Sequence, residues 1–152
     1  MNIKIICIGG LKEFFLRDAQ KEYQKRLSAS CGLEIIELAA RNELPVKQQL
    51  TDEGKKILEK AKSGYNIALC IEGKEITSEE FAKKIAELSA GGANALNFII
   101  GSSYGLSDEV KTAADLKVSF SQMTFPHQMF RIMLLEQLYR AFDILGARKY
   151  DK

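Results

Sequence analysis

The sequence is short of the residues that build metal sites and disulfide frameworks. Its three cysteines are Cys7, Cys31 and Cys70, and no two of them form a CxxC pair. Their number and spacing argue against a disulfide framework and against a zinc site. A single histidine cannot supply a site made of several imidazole ligands. We therefore expect free thiols in apolar segments and no bound metal.

The sequence also lacks long apolar runs and a large excess of positive or negative charge. No stretch approaches the ~20 apolar residues of a membrane-spanning helix, and the first ten residues are too poor in apolar side chains for a signal peptide. We expect a cytoplasmic protein with no membrane partner. The net charge is +2, from 22 Lys and Arg against 20 Asp and Glu. This balance does not by itself indicate nucleic acid, so an RNA partner needs local evidence.

Two common nucleotide-binding motifs are absent as well. No GxGxxG follows the first apolar run, and GxxxxGK[ST] occurs nowhere. These absences exclude the usual dinucleotide and P-loop sites. Any nucleotide-like cofactor is therefore expected near the C-terminal strands.

What the sequence does contain is a regular alternation of apolar runs and helical segments. Short apolar runs predict five strands, at residues 3–8, 33–39, 67–71, 96–100 and 117–121. A segment with helical periodicity follows each strand. In a chain of 152 residues this order predicts one α/β domain, with a mostly parallel sheet and helices on both faces.

Local signals add detail to this prediction. Thr77 and Glu80 have the spacing of a capping box, and Ser107 can cap a short helix. A repeat of four residues predicts the buried stripe of the first helix, at Leu11, Phe15, Ala19, Tyr23 and Leu27. Residues 72–74 are expected to form a loop.

The last helix, predicted from Pro126 to about Leu145, is apolar on every side. A helix of this kind must be covered all round. We expect one side to face the sheet and the other to face a second copy of the chain, which predicts a homodimer. A helix wholly inside one subunit is the alternative.

Candidate site residues lie where the predicted strands end, because ligands of parallel sheets bind beyond the carboxyl ends of the strands. Three segments qualify: 69–74, 101–106 and 121–127. Gly101 indicates either a close backbone approach to a ligand or a tight turn. His127 is placed at a helix N-terminus, where the helix dipole favours a neutral ring. It fits a proton acceptor or a hydrogen-bonded structural residue.

Three stretches together resemble one family. They are GSSYGLS from Gly101, SQMTFPH from Ser121, and the run from Arg131 to Phe142. They resemble the RlmH family, the bacterial 23S rRNA pseudouridine-N3 methyltransferases of the SPOUT class, and the resemblance covers essentially the whole chain. It implies a C-terminal trefoil knot, S-adenosylmethionine as cofactor, the assembled ribosome as substrate and an obligate homodimer.

The resemblance also implies roles for particular residues. Cofactor contacts fall on three strand ends, at Leu69, Gly101, Ser102, Ser121, Gln122, Met123, Thr124, Phe125 and Pro126. His127 and Tyr150 are expected near the target base. Arg131 and Arg140 are expected to contact RNA phosphate or to lower the pKa of the base nitrogen.

The chain departs from the family pattern at two places. Ser102 stands where the family usually has a second glycine, and the tail is Tyr150-Asp151-Lys152 where a histidine commonly follows the tyrosine. One alternative is a SPOUT methyltransferase that acts on tRNA or on another rRNA site. The other is a dimeric α/β binding module without turnover, which only these departures favour.

Overall fold

The computed structural model describes residues 1–150, and side chains as far as residue 146. Five strands alternate with five helices in chain order: β1 Asn2–Ile8, α1 Phe14–Leu27, β2 Gly32–Leu38, α2 Val46–Lys60, β3 Tyr65–Glu75, α3 Ser78–Ala90, β4 Ala95–Ile100, α4 Asp108–Ala113, β5 Leu116–Ser119 and α5 His127–Tyr150. The strands form one sheet in the order β2-β1-β4-β3-β5, and every pair is parallel. The predicted α/β class is confirmed.

Helices cover both faces of this sheet, as the sequence predicts. On one face α1, α3 and α5 pack over a core that includes Phe81, Phe98 and Leu134. On the other face α2 and α4 pack over a smaller core around Ile57, Ile99 and Val110. All six residues of β4 are buried, because a central strand of a parallel sheet is covered by helices on both sides.

The predicted helix caps are confirmed. Thr77 accepts a hydrogen bond from the Glu80 amide at 3.0 Å, and the Glu80 carboxylate accepts one from the Thr77 amide at 2.9 Å. Ser107 accepts a hydrogen bond from the Val110 amide at 3.3 Å. Pro126 stands directly before α5, and its carbonyl accepts from the Phe130 amide at 2.9 Å.

The predicted stripe of α1 is right at Tyr23 and Leu27 and wrong at Phe15. Phe15 is 61% exposed, whereas its neighbour Leu16 is 7% exposed. A step of four residues advances about 40° beyond a full helical turn, so a strict four-residue repeat drifts off any one face. Leu16, Tyr23 and Leu27, spaced by seven and four residues, hold the inner face instead.

The last helix is covered on several sides within one chain. Leu134, Leu135 and Leu138 are fully buried in the core. On one flank Glu136 accepts a hydrogen bond from Tyr23 of α1 at 2.9 Å, and on another Gln137 accepts one from Ser78 of α3 at 2.7 Å. Much of the apolar surface of α5 is therefore used inside the subunit, and the homodimer stays a prediction.

Two predicted boundaries need correction. The helix α5 continues to Tyr150 rather than ending near Leu145, because one glycine in a helix costs about 1 kcal/mol and does not end it. Residues 72–74 are not a loop, since β3 runs on to Glu75. Val118 of β5 lies opposite both Leu69 and Lys74, so the residues between those two bulge out of the ladder.

Candidate functional site

The three segments that sequence analysis selected lie side by side at one edge of the sheet. They follow the carboxyl ends of β4, β3 and β5, and these strands are neighbours in that order. Leu69 begins the bulge in β3, Gly101 follows β4, and Ser121 follows β5. The strand order therefore places all three strand ends together, a proximity that chain distance alone does not give.

The loop after β4 closes on its own backbone. The Gly105 amide donates to the Ser102 carbonyl at 2.9 Å, and Gly105 has a φ of 88°. A Cβ atom at Gly101 would lie 2.2 Å from the Gly105 carbonyl oxygen. The loop itself thus requires glycine at position 101. Within this tight loop the Ser102 hydroxyl is buried and has no hydrogen-bond partner among the described residues.

The segment after β5 is fastened to the bulge of β3. The Gln122 side-chain amide donates to the Ile71 carbonyl at 3.2 Å and to the Glu75 carboxylate at 3.1 Å. The Ser121 hydroxyl accepts from the Met123 amide at 3.0 Å. Gly73 packs so closely that a Cβ there would lie 2.5 Å from the Val118 nitrogen. These contacts hold two of the candidate cofactor segments in one rigid arrangement.

Backbone groups and exposed side chains dominate the rest of this candidate cofactor surface. The Leu69 side chain points into the core, so only its backbone faces the strand-end edge. Met123 is 73% exposed, and Thr124, Phe125 and Pro126 are also exposed. A ligand on this surface would meet peptide groups from three loops rather than a set of charged side chains.

His127 begins α5 beside these loops and is partly buried. Burial lowers the pKa of His127 below its ordinary value, and the positive charges of Arg131 and Lys12 lower it further. The negative charge of Glu53 acts in the opposite direction on the same pKa. The ring is therefore neutral near pH 7, as predicted. Desolvation by burial is the largest cause of the lowered pKa, whereas sequence analysis considered only the helix dipole.

The two arginines of α5 occupy different environments. Arg131 is 1% exposed and pairs with Glu37. Arg140 is exposed and pairs with Glu136 at 2.9 Å, one turn earlier on the same helix. Arg140 lies thirteen residues after His127, roughly 20 Å along the helix axis at 1.5 Å per residue. One chain therefore brings Arg131, but not Arg140, close to His127. The Tyr150 side chain and residues 151–152 lie outside the described residues.

Several residues at this edge escaped the sequence analysis. Glu37 binds the Arg131 guanidinium, and Glu53 of α2 is 2% exposed with one carboxylate oxygen unpartnered among the described residues. The strand β2 contains two glutamates, Glu34 and Glu37, so the sequence alone does not single out Glu37. Nothing local marks Glu53, because its burial depends on how α2 packs.

Large apolar side chains are exposed mainly at this same edge. Seven of the eight described examples lie close after a strand or in the first turn of the next helix, at Phe14, Phe15, Val46, Tyr104, Met123, Phe125 and Met129. The eighth, Ile71, lies in the bulge of β3. Exposed apolar side chains gathered on one part of a surface are typical of contact sites. The candidate cofactor loops therefore lie on a surface whose composition is typical of a contact site.

Residues 1–150 contain neither a metal-binding cluster nor a membrane-spanning helix. No described group of three or more His, Cys, Asp or Glu side chains is arranged to hold a metal ion. None of the described helices combines the length and the apolar character needed to cross a bilayer. The three cysteines are free thiols, and burial raises the pKa of Cys7 to about 11.

The chain is similar to known proteins over its full length. A family described as "Predicted SPOUT methyltransferase" matches residues 1–151. The chain is 52% identical to ribosomal RNA large subunit methyltransferase H of Clostridioides difficile (strain 630), and the match covers 100% of both chains. It is 49% identical to ribosomal RNA large subunit methyltransferase H 1 of Clostridium perfringens (strain SM101 / Type A), again over 100% of both.

Solved structures share the fold at low sequence identity. A probable methylase family protein from Haemophilus influenzae Rd KW20 superposes with a TM-score of 0.62 at 14% identity, covering 99% of this chain and 70% of that one. The tRNA (m1G37) methyltransferase from Aquifex aeolicus gives 0.53 at 13% identity, covering 92% and 70%. SPOUT neighbours imply the C-terminal knot, and here β5 and the segment after it are fastened to β3.

Proposed function

Because the chain belongs to the SPOUT methyltransferase family, we propose that it transfers a methyl group from S-adenosylmethionine to ribosomal RNA of the large subunit. The proposed target is N3 of a pseudouridine in 23S rRNA of the assembled ribosome. One observation carries the proposal: the three loops that the resemblance assigns to the cofactor follow three neighbouring strands. A ribosomal substrate places the activity in the cytoplasm.

Two features of the loop after β4 support this cofactor. Gly101 and Gly105 form a tight turn that needs glycine at 101 for space and at 105 for its positive φ, and the buried Ser102 hydroxyl there lacks a partner among the described residues. Leu69 and the segment 121–126 complete the proposed pocket with peptide groups. When bound, the cofactor supplies a methyl group that its sulfonium has already activated.

The protein's own residues then have to orient the target base and take its proton. The N3 atom of a pseudouridine carries a hydrogen, which must leave before or during attack. His127 suits the acceptor role, because its lowered pKa leaves the ring neutral at physiological pH. Tyr150 is the second candidate near the base. Orientation of the reactants is the main contribution asked of the site.

The proposal includes a homodimer through α5. Arg140 lies too far from His127 to serve the same site within one chain, so its proposed role is in the active site of a second copy. The apolar side chains exposed at the strand-end edge offer a surface for that copy, with Phe14, Phe125 and Met129 near the first turn of α5. A shared site also brings basic residues from both copies to the RNA.

The experiment that tests the proposal is methyl transfer to ribosomes from a strain lacking this enzyme. Incubation with labelled S-adenosylmethionine should label 23S rRNA at one pseudouridine, and mapping of the methylated nucleotide identifies it. Transfer RNA and ribosomes from the parent strain are the controls and should stay unlabelled. Labelled tRNA would favour the alternative target, and cofactor binding without any transfer would favour a binding module.

A further inference from the structure

One buried guanidinium joins the first part of α5 to three other elements. Arg131 donates through Nη1 to the Glu37 carboxylate of β2 at 2.5 Å and to the Gln20 side chain of α1 at 3.2 Å. Through Nη2 it donates to the Gly9 carbonyl, just after β1, at 2.9 Å. Arg131 is the largest of the fully buried side chains among the described residues.

The cost of burying this charge argues against a simple packing role. Removing a guanidinium from water is unfavourable, and an ion pair with the partly exposed Glu37 adds little net stability compared with an apolar side chain of similar size at position 131. What an arginine adds is direction, because its planar fork fixes the angles of several hydrogen bonds at once. The hydrogen bonds of Arg131 therefore orient the elements that they join more than they stabilise the fold.

A second hydrogen bond joins the start of α5 to the loop after β1, which contains Gly9. The Gln128 side chain accepts a hydrogen bond from the Lys12 amide at 2.9 Å. Arg17 in turn donates to the carbonyls of Leu11 and Lys12, which fixes that loop on α1. The loop from Gly9 to Lys12 is thus held on α1 and bonded twice to the start of α5.

His127 lies one turn before Arg131 on the same helix, inside this bonded region. The described charges that act on its ring come from the loop after β1, from α2 and from α5 itself, namely Lys12, Glu53 and Arg131. Arg131 therefore contributes one of the charges that the ring meets, from one turn along the same helix.

We propose that Glu37 and Arg131 are a positioning pair for His127. Glu37 directs the guanidinium onto the Gly9 carbonyl, and that bond fixes the first turn of α5 beside the loop after β1. Arg131 therefore acts through His127 rather than on RNA phosphate. The catalytic part of this inference rests on the proposed function, whereas the structural part does not.

The decisive measurement uses the fact that the chain contains one histidine. Its imidazole gives a single set of NMR resonances, so the titration of His127 needs no assignment by mutation. Three variants separate charge from geometry. Arg131→Met removes both, Arg131→Lys keeps a charge without the fork, and Glu37→Gln keeps the arginine but removes its directing carboxylate. Glu22→Gln and Arg26→Lys alter an exposed ion pair on α1 and serve as matched controls.

If Glu37 and Arg131 position His127, the variants and the controls should give different results. In Arg131→Met the ring should titrate at a higher pH, because a nearby positive charge is gone. Arg131→Lys and Glu37→Gln should move or broaden the ring resonances, and each should lower kcat for ribosome methylation at least tenfold. The KM for S-adenosylmethionine should stay unchanged, which a general loosening of the site would not allow. Both control variants should behave as the wild type.

Unchanged His127 resonances and unchanged kcat in folded Glu37→Gln protein would overturn the inference. This variant decides the matter even if Arg131→Met does not fold, because Glu37 is partly exposed and glutamine keeps its size. Wild-type protein that methylates nothing would refute the proposed function alone. The NMR titration would still test the pair.

Discussion

At the amino-terminal edge of the sheet, polar side chains form a connected set of hydrogen bonds, whereas the carboxyl-terminal edge exposes large apolar side chains. Asn97 donates to the Ser63 carbonyl and to Asn66, both at 2.8 Å. The Asn66 backbone amide in turn donates to Asp115 at 2.7 Å, just before β5 begins. Each edge also holds a buried polar atom without a partner among the described residues, Asn97 Oδ1 at the first and the Ser102 hydroxyl at the second. The two edges therefore differ in how many of their polar groups bond to one another and in how much apolar surface they leave exposed.

The exposed apolar side chains follow the same division. Seven of the eight described large examples lie in the loops and first helical turns that follow the strands, and Ile71 lies in the bulge of β3. A fold gains nothing from leaving these side chains in water. The difference indicates that the amino-terminal edge serves folding, and on the proposed function the carboxyl-terminal edge serves contact with cofactor, RNA or a second copy.

A pair of glycine substitutions, one at each edge, gives the strongest test of whether the two edges have separate roles. Gly101→Val should lower the affinity for S-adenosylmethionine about a hundredfold or more, a loss of roughly 2.7 kcal/mol, because a side chain there meets the Gly105 carbonyl. Gly64→Ala introduces a similar clash with the Ala95 carbonyl at the other edge. It should lower the melting temperature and leave the affinity unchanged. Calorimetry that finds full affinity in Gly101→Val would remove this loop from the cofactor site.

Asn97→Ala tests the amino-terminal edge by itself. The substitution leaves the Ser63 carbonyl and the Asn66 side chain without a donor, which should cost about 1–3 kcal/mol of unfolding free energy. Urea denaturation measures this loss. The folded fraction should methylate ribosomes at the wild-type rate, and a large fall in kcat would show that the two edges are not separate.

The pH dependence of stability tests the surroundings of His127. Its folded pKa lies below the ordinary value of 6.5, so as the pH falls through that value the unfolded chain takes up a proton first. Stability should therefore decline from about pH 6.5 down to the folded pKa, and the decline should be absent in His127→Gln. Denaturant unfolding over this range gives the answer, and parallel curves for the two proteins would contradict it.

The smallest expected effect on stability belongs to Arg140→Gln. Its exposed pair with Glu136 should contribute less than about 0.5 kcal/mol. Activity should nevertheless fall if Arg140 serves the active site of a second copy. Mixing this variant with His127→Gln in equal amounts should then restore about a quarter of wild-type activity, since half of the dimers are mixed and each mixed dimer holds one intact site of two. No restoration would argue for a site within one subunit.

Local patterns were enough to predict most of the fold. The capping box at Thr77 and the cap at Ser107 need only neighbouring residues, and the five apolar runs predict five strands. The extension of β3 to Glu75 was missed because it depends on pairing with β5, more than forty residues later. The burial of Leu16 in place of Phe15 depends on how the helix rotates against the sheet.

The candidate site was predictable only where its residues are close in the chain. Gly101, Ser121 and His127 are marked by glycine, proline and the family resemblance, and they do lie at one edge. The bond between Arg131 and Glu37 joins residues 94 positions apart. No periodicity or spacing in one sequence reports a contact of that kind, because it forms only when α5 packs across the end of β2.

The double pairing of Val118 has a consequence for the order in which the molecule assembles. The strand β5 has four residues, lies at the sheet's outer edge and pairs only with β3, on both sides of the bulge. A short strand that pairs on one side only has few contacts to hold it, whereas β1 and β4 are each paired on both sides. We expect refolding to protect the amides of β1 and β4 from hydrogen exchange before those of β5. The candidate cofactor loops would then be the last part of the molecule to fold, after water has been excluded from the core.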